Sequence, residues 1–447
     1  MPKENYVITR KVKLHPVGDG EEIKRVYKYI HDGMHNQNKA YNILASTIYT
    51  KIFTGCDKDE LNDIYKRGAR NPKENDSSYS LYKYNEIVFP KGMSTASTVK
   101  QKVKAYFKQA QKDGLFKGKV SLQNRKLTAP LWIERQQFSF YYPYETYQEF
   151  LDYLYKKDCE IYMKFVNGIV FKVILGNNIS KSREIRSVFQ KIFEEEYIPR
   201  GSSIQFKKEE IKDENGDKKK KNSIILNLSL QIPKKETELN EDTVVGVDLG
   251  IAVPAYCALN NNKYQKSAIG YADDFIWVRT KIQAQRRRLS SNLKYSNGGH
   301  GRKKKMRSMD RFTKTEKNFA TTYNHMVSKR VVDFAIKNKA KYINLENLKG
   351  FDRDKTILRN WSYFQLQQFI TYKADKYGII VRKINPYHTS QICSCCGHWE
   401  EDQRNGRKFK CKSCGFEENA DFNAARNIAM STEFVDGNED EEEIQYD

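Results

Sequence analysis

The sequence predicts an α+β multidomain protein, and three observations lead there. The first half joins strongly periodic helical stretches to a β-rich middle. The second half alternates short apolar runs with amphipathic helices, the pattern of an α/β layer. Five of the eight cysteines crowd into the stretch from Cys393 to Cys414. At 447 residues the chain has room for about three domains of ~150 residues each.

The elements follow in order. Asn5 to Val17 partly alternates apolar and polar residues and reads as a strand that Pro16 ends. Ile23, Val26, Tyr27, Ile30, Met34, Tyr41, Leu44 and Ile48 then recur at helical spacing. Positions 56–80 are polar and broken by Gly68 and Asn71-Pro72, which predicts loop. A helix from Ser94 to Lys112 carries Val99, Val103, Tyr106 and Phe107 on one face. Lys100, Lys102, Lys104, Lys108 and Lys112 cover the rest, a pattern that suits a solvated face and a phosphate backbone equally. Strands are expected at Lys126–Ile133, Gln137–Tyr141, Cys159–Val166 and Gly168–Leu175, with a helix from Ser182 to Glu196. Ser203–Ile211 and Asn222–Ile232 form a hairpin, the second arm alternating Leu226, Leu228, Leu230 and Ile232 with polar residues. The first half thus reads as a helical lobe inserted in, or leaning on, a twisted β-barrel-like unit.

The second half opens near Thr243. A strand ends at Asp248, and another is expected around Ala255–Ala258. Lys281–Asn292 reads as helix. Gly298-Gly299-His300-Gly301, followed by Arg302 to Arg307, reads as a flexible basic loop. A long helix bears Phe319, Tyr323, Met326, Val327, Val331 and Phe334. Another runs from about Trp361 to Tyr377, and Ile379–Ile384 is a short strand. Strands alternating with helices fit an α/β domain of ribonuclease-H type.

Charge narrows the partner. The net charge is +23, but Glu433–Asp447 holds eight acidic residues and no basic one. Without that tail the body carries +31. Such an excess, with 13% aromatic residues, points to nucleic acid. The tail itself reads as disordered and solubilising. No run of about 18 apolar residues and no apolar leader is present, which predicts a soluble intracellular protein with no membrane partner.

Chemistry concentrates on three acids. Asp248 ends Val244-Val245-Gly246-Val247, Glu346 ends Tyr342-Ile343-Asn344-Leu345, and Asp421 opens a segment whose Ala424 and Ala425 let a helix pack closely on a sheet. Strand ends are where open α/β sheets place their chemistry. Three carboxylates in one site raise one another's pKa, and divalent cations relieve the conflict. Two Mg²⁺ ions about 3.5–4 Å apart would activate water and stabilise the leaving oxygen of a phosphodiester. Separately, Cys393-x-x-Cys396 and Cys411-x-x-Cys414 predict a tetrahedral Zn²⁺ site with all four positions filled, hence structural. Cys395 lies inside the first pair and fits the spacing less well. Gly397 and Gly415 suit the turns of such knuckles. His388 and His398 are read as ordinary surface residues.

Val245-Gly246-Val247-Asp248-Leu249-Gly250, Leu345-Glu346-Asn347-Leu348, Thr389-Ser390-Gln391-x-Cys393-x-x-Cys396-Gly397-His398 and Asp421-Phe422-Asn423-Ala424-Ala425-Arg426-Asn427-Ile428 occur in that order. Together they resemble the RuvC nuclease and zinc-finger segments of TnpB-like transposon-encoded RNA-guided nucleases and of the miniature type V-F CRISPR effectors derived from them. The match spans roughly 243–430. Size and the fuller N-terminal half favour the CRISPR branch.

The resemblance implies a wedge β-barrel at 1–18 and 118–240, and a helical recognition lobe at 19–117. It implies a RuvC domain at 241–388 and 419–432, a zinc-finger insert at 389–418, and an acidic tail at 433–447. It implies a prokaryotic cytoplasmic endodeoxyribonuclease. A guide RNA pairs with target double-stranded DNA beside a short, T-rich motif, and one RuvC site holding two Mg²⁺ on Asp248, Glu346 and Asp421 cuts both strands. Single-stranded DNA is a further substrate of relatives, and the type V-F effectors act as two copies on one guide. Arg407 corresponds to a family arginine near the scissile phosphate, with Arg404 its competitor. A transposon-encoded RNA-guided nuclease and a DNA transposase of the same fold remain the alternatives.

Overall fold

The computed structural model describes residues 5–68, 81–93, 95–212, 218–235, 237–250, 253–295, 299–347, 363–385 and 389–435. Within it the chain divides into two compact units rather than three, meeting in sequence between Pro233 and Lys234.

The first unit begins with β1 (Asn5–Pro16), followed by α1 (Gly20–Phe53), α2 (Lys58–Arg67), α3 (Leu81–Tyr84) and α4 (Thr95–Lys112). It continues through β2 (Leu131–Ile133), β3 (Phe138–Tyr141), α5 (Tyr147–Leu154), β4 (Tyr162–Phe165), β5 (Val170–Ile174) and α6 (Ile179–Phe193), and closes with β6 (Ile198–Pro199), β7 (Ser202–Lys212) and β8 (Lys218–Pro233). The strands form one sheet in the order β2-β7-β8-β1-β5-β4-β3, with β6 on β8. β1 lies antiparallel between β8 (Tyr6 opposite Ile232) and β5 (Leu14 opposite Val173). The four helices α1 to α4 are therefore an insertion in sequence between strands of this sheet. They bury their own core, in which Tyr41, Leu44 and Ile48 of α1 meet Val99, Val103 and Phe107 of α4.

Two parts of this unit depart from the sequence reading. Positions 58–67, expected as loop, form α2; Asp57 caps it by accepting the Glu60 N–H at 2.7 Å, and Leu61, Ile64 and Tyr65 supply a short apolar face. The rest of that expected loop, 69–80, lies outside the described residues. Tyr147–Leu154 is a helix that aromatic β-formers disguised; Thr146 caps it, and Phe150 and Leu154, four apart, are fully buried.

The second unit continues with β9 (Asn240–Asp248), β10 (Ala255–Leu259), β11 (Lys266–Ile269), α7 (Ala272–Lys294), α8 (Gly299–Lys337) and β12 (Ala340–Glu346). It ends with α9 (Tyr363–Asp375), β13 (Ile380–Ile384), β14 (Arg404–Asn405), β15 (Lys408–Lys410), β16 (Glu417–Asn419) and α10 (Ala420–Met430). A five-stranded mixed sheet runs β11-β10-β9-β12-β13. β9, β10 and β11 are antiparallel neighbours, whereas β12 is parallel to both β9 and β13. α8 and α9 cover one face through Val327, Val331, Leu366 and Ile370. β14, β15 and β16 make a separate three-stranded sheet.

The basic glycine-rich stretch is not a loop from Gly299 onward; it is the first turns of α8. Two glycines at a helix start cost little, and the arginines, lysines and methionine after them are good helix formers. The acidic tail is likewise ordered where it starts. Asn385 donates to the Glu433 carbonyl and Val435 to the Lys383 carbonyl, so Glu433–Val435 lies along β13. Positions 436–447 lie outside the described residues, as does His388. Among the described residues no helix is long and apolar enough to cross a membrane.

Candidate active site and cysteine cluster

Two of the three acids meet because their strands are neighbours in register. Leu345 of β12 stands opposite Val247 of β9, so Glu346 and Asp248 follow side by side at the strands' C-terminal ends. The third acid arrives on α10. Asn419 caps that helix, accepting the N–H groups of Asp421 (2.8 Å) and Phe422 (3.2 Å), and so places Asp421 in the first turn. α10 comes close to β9 because Gly246 has no side chain. A Cβ there would lie 2.0 Å from the Ala425 carbonyl oxygen and 2.3 Å from the Ala429 nitrogen. Beside it, the buried Asn344 amide donates to the Ile428 carbonyl at 2.9 Å.

The electrostatics are those of crowded like charges. The Asp248 carboxyl is pushed up to about 8, first by burial and then by the charges of Glu346 and Asp421, with Arg404 opposing. Burial also raises Glu346, against the Thr389 hydroxyl, which donates to Glu346 Oε1 at 2.6 Å, and against Arg404. Asp421 is 7% exposed and accepts from Arg404 Nη2 at 3.1 Å. A cation bound beside Asp248 and Glu346 would oppose both upward shifts.

Arg404, not Arg407, is therefore the arginine at the acids. The reason is a tight turn: Arg404 pairs with Phe409 and Asn405 with Lys408, leaving Gly406-Arg407 as the hairpin tip. The Arg407 side chain is exposed; its carbonyl accepts the Ala420 N–H at 2.9 Å, a backbone bond that sets the start of α10.

Sequence reasoning gave no role to several supporting residues. Gln367 of α9 donates to the Glu346 carbonyl at 2.9 Å. The Tyr363 hydroxyl donates to the Gly250 carbonyl at 3.2 Å, and burial together with Asp248 pushes its pKa up to about 12. Thr389 and Asn427 stood in the quoted motifs, but their hydrogen bonds cross 43 and 38 residues of chain, and composition carries no trace of such pairings.

The cysteines form a tighter group. The sulfurs of Cys393, Cys396, Cys411 and Cys414 all lie within 4.8 Å of one another, the one such cluster of His, Cys, Asp and Glu among the described residues. Cys393 and Cys414, and Cys396 and Cys411, are each 3.7 Å apart. Tetrahedral thiolates about 2.3 Å from a central ion would stand about 3.8 Å apart, so the cluster fits a metal. The two knuckles repeat one design. Gly397 donates to the Cys393 carbonyl and Gly415 to the Cys411 carbonyl, both glycines at positive φ (75° and 72°). Cys395 contributes only a backbone N–H to Cys393 Sγ, at 3.4 Å. His398 pairs with Glu400 at 3.2 Å and is no ligand. Burial raises the Cys393 thiol to about 12. At Cys411 burial is again the largest single influence and opposes ionisation, but the N–H groups of Cys414 and Ser413 together with the sulfurs of Cys414 and Cys396 bring the thiol down to about 6.

Asparagines of α10 bind this insert to the sheet. Asn423 donates to the Ile392 carbonyl and accepts from the Ser394 N–H; Asn427 donates to the carbonyls of Thr389 and Ile392, all at 2.7–2.8 Å. Thr389 thus joins the base of the knuckle to Glu346.

A mixed sheet with acidic strand ends and a four-cysteine insert defines a class, and comparisons narrow it. Residues 363–428 match the family model described as Cas12f1-like, TNB domain. The chain is 39% identical over 217 residues to the CRISPR-associated endodeoxyribonuclease Cas12f1 of Sulfoacidibacillus thermotolerans, a match covering 47% of this chain and 51% of that one. It is 27% identical over 210 residues to the putative RNA-guided DNA endonuclease InsQ of Escherichia coli, covering 42% and 48%. Its fold matches the protein in the cryo-EM structure of a Cas12f1–sgRNA–target DNA complex, with a TM-score of 0.69 at 19% identity over 97% of this chain and 100% of that one. The chain is thus similar to Cas12f1 endodeoxyribonucleases in the sequence of its second half and in its fold. Its sequence match spans about half the length of the curated relatives.

Proposed function

We propose that this chain is an RNA-guided DNA endonuclease of a CRISPR system. A guide RNA lies on the basic body and pairs with target DNA beside a short motif, and a single RuvC-type site cuts both strands. The observation that supports it best is the convergence of Asp248, Glu346 and Asp421 at adjoining strand ends and a helix start, with Asp248 raised by its neighbours.

In this reading the three carboxylates would hold two Mg²⁺ ions, which when bound would supply an activated water and charge for the leaving oxygen. The remaining work belongs to the chain. Thr389 and Gln367 fix Glu346, one through its carboxylate and one through its backbone. Asn419 fixes the start of α10 and with it Asp421. Arg404 gives up Asp421 for the scissile phosphate and there offers planar, bidentate donors. The four cysteines would hold Zn²⁺, whose chemistry there would be structural, and their knuckles shape the hairpin that carries Arg404.

Asp248→Ala tests the reading. Guide-dependent cleavage should fall more than about 10³-fold, while guide-dependent DNA binding stays within about twofold. Cleavage at the wild-type rate would remove the acid trio from the chemistry. The likeness to InsQ keeps a transposon-encoded guided nuclease as the second reading. Sequencing the RNA that co-purifies separates the two, since a CRISPR-repeat RNA and a transposon-end RNA differ outright.

A further inference from the structure

We propose that the helical insertion of the first unit carries a built phosphate site, formed by Lys66 of α2 and Lys100 and Lys104 of α4 around Tyr65, whose occupant is a backbone phosphate of nucleic acid. A concavity of about 500 Å³ opens here, lined by Asp59, Asn62, Tyr65, Lys66, Lys100 and Lys104. That volume lies in the usual range of ligand sites, about 300–1,000 Å³. Three ammonium groups share its wall with a single carboxylate; Asp59 and Lys66 stand exposed at the rim, and Lys100 and Lys104 lie deeper.

The lysines of α4 are not equivalent. Lys102 and Lys108 are exposed, as a solvated face requires, whereas Lys100 and Lys104, one turn apart, are half-buried. The Lys104 ammonium lies 4.9 Å from the Tyr65 ring centre, which holds it at the concavity. Lys100 is held below the usual lysine range, first by burial and then by the charges of Lys104 and Lys66. Half-burying like charges together costs stability unless an anion joins them. A tetrahedral phosphate accepts from several donors at once, and the +31 body makes a polyanion its natural carrier. The lysines that sequence reading treated as one row therefore divide into a site and a surface.

The inference rests on the nucleic-acid part of the proposed function and not on the acid trio, so its test reads binding. Anisotropy of a fluorescent RNA hairpin and a DNA duplex is measured across salt with the full-length protein and no added Mg²⁺. Lys100→Met and Lys104→Met should each weaken binding about tenfold and make the salt dependence shallower by about 0.9 on the duplex. Lys108→Gln should change affinity less than about twofold. Equal losses at Lys100 and Lys108 would overturn the site in favour of a diffuse basic face. In the wild-type protein, where folding is not in question, mass spectrometry of lysine acylation gives a second reading. Lys100 should react ahead of Lys108 and be shielded by nucleic acid. Shielding by millimolar inorganic phosphate but not by nucleic acid would assign the concavity to a free phosphate and overturn the backbone assignment.

Discussion

The second unit gathers ionisable side chains twice, and it does so in opposite ways. The cysteine cluster comes from two four-residue turns in one short stretch, each closed by its own glycine and backbone N–H groups. The acid trio comes from positions spread over 173 residues, brought together by a sheet register and a helix that a glycine admits. The sulfurs close to within 4.8 Å of one another; the carboxylates are spaced more widely and share charge rather than contact. A locally built site fills its own coordination sphere and is suited to holding shape. A site assembled across the fold keeps positions open, which is what chemistry on a substrate needs.

The largest effect should come from breaking the local site. Cys411→Ala, or chelation strong enough to strip the cluster, removes a metal whose binding is worth on the order of 10 kcal/mol in comparable sites. Thermal melting and limited proteolysis should show loss of order between Thr389 and the start of α10, with cleavage lost as a result. A fully folded, metal-free and active variant would sink the structural role.

Next in size is the arginine. Arg404→Met should lower the cleavage rate about 10²-fold, with guide and target binding unchanged, while Arg407→Met should stay within about twofold. The reverse ranking would restore Arg407 and make the Arg404–Asp421 contact incidental.

The smallest effect concerns Asp248 itself. Its folded pKa, about 8, lies above the usual value of 3.8. The folded state therefore binds a proton that the unfolded state has released, and without divalent cations stability should fall as pH rises between about 4 and 8. Asp248→Asn removes that loss. At pH 8 in the absence of Mg²⁺ it should melt at a higher temperature than wild type, and the gap should vanish near pH 4. A gap that widens toward acid would mean the carboxyl is not crowded by its neighbours.

The same contrast explains what could be read beforehand. Cys393, Cys396, Cys411 and Cys414 announce themselves because their geometry is local. Asp248 and Glu346 were legible as acids ending apolar runs, a pattern that survives in one dimension. Sequence alone does not decide between Arg404 and Arg407, because they differ only by a two-residue turn and no spacing rule fixes where that turn falls. The hydrogen bonds of Thr389, Gln367, Asn423 and Asn427 left no mark, since an amide or hydroxyl looks the same whether it meets solvent or a carbonyl far along the chain. Helices α2 and α5 were missed because each has a single short stripe and takes its stability from caps and tertiary packing.

The asparagine ties along α10 bear on how this protein can be recombined. They grip the insert at its base, through Thr389, Ile392 and Ser394. A chimera that exchanges the knuckle from a relative must therefore carry its seam past Asn427. Cut just after Cys414 instead, the transplant would arrive without Asn423 and Asn427, the partners that hold Thr389, Ile392 and Ser394.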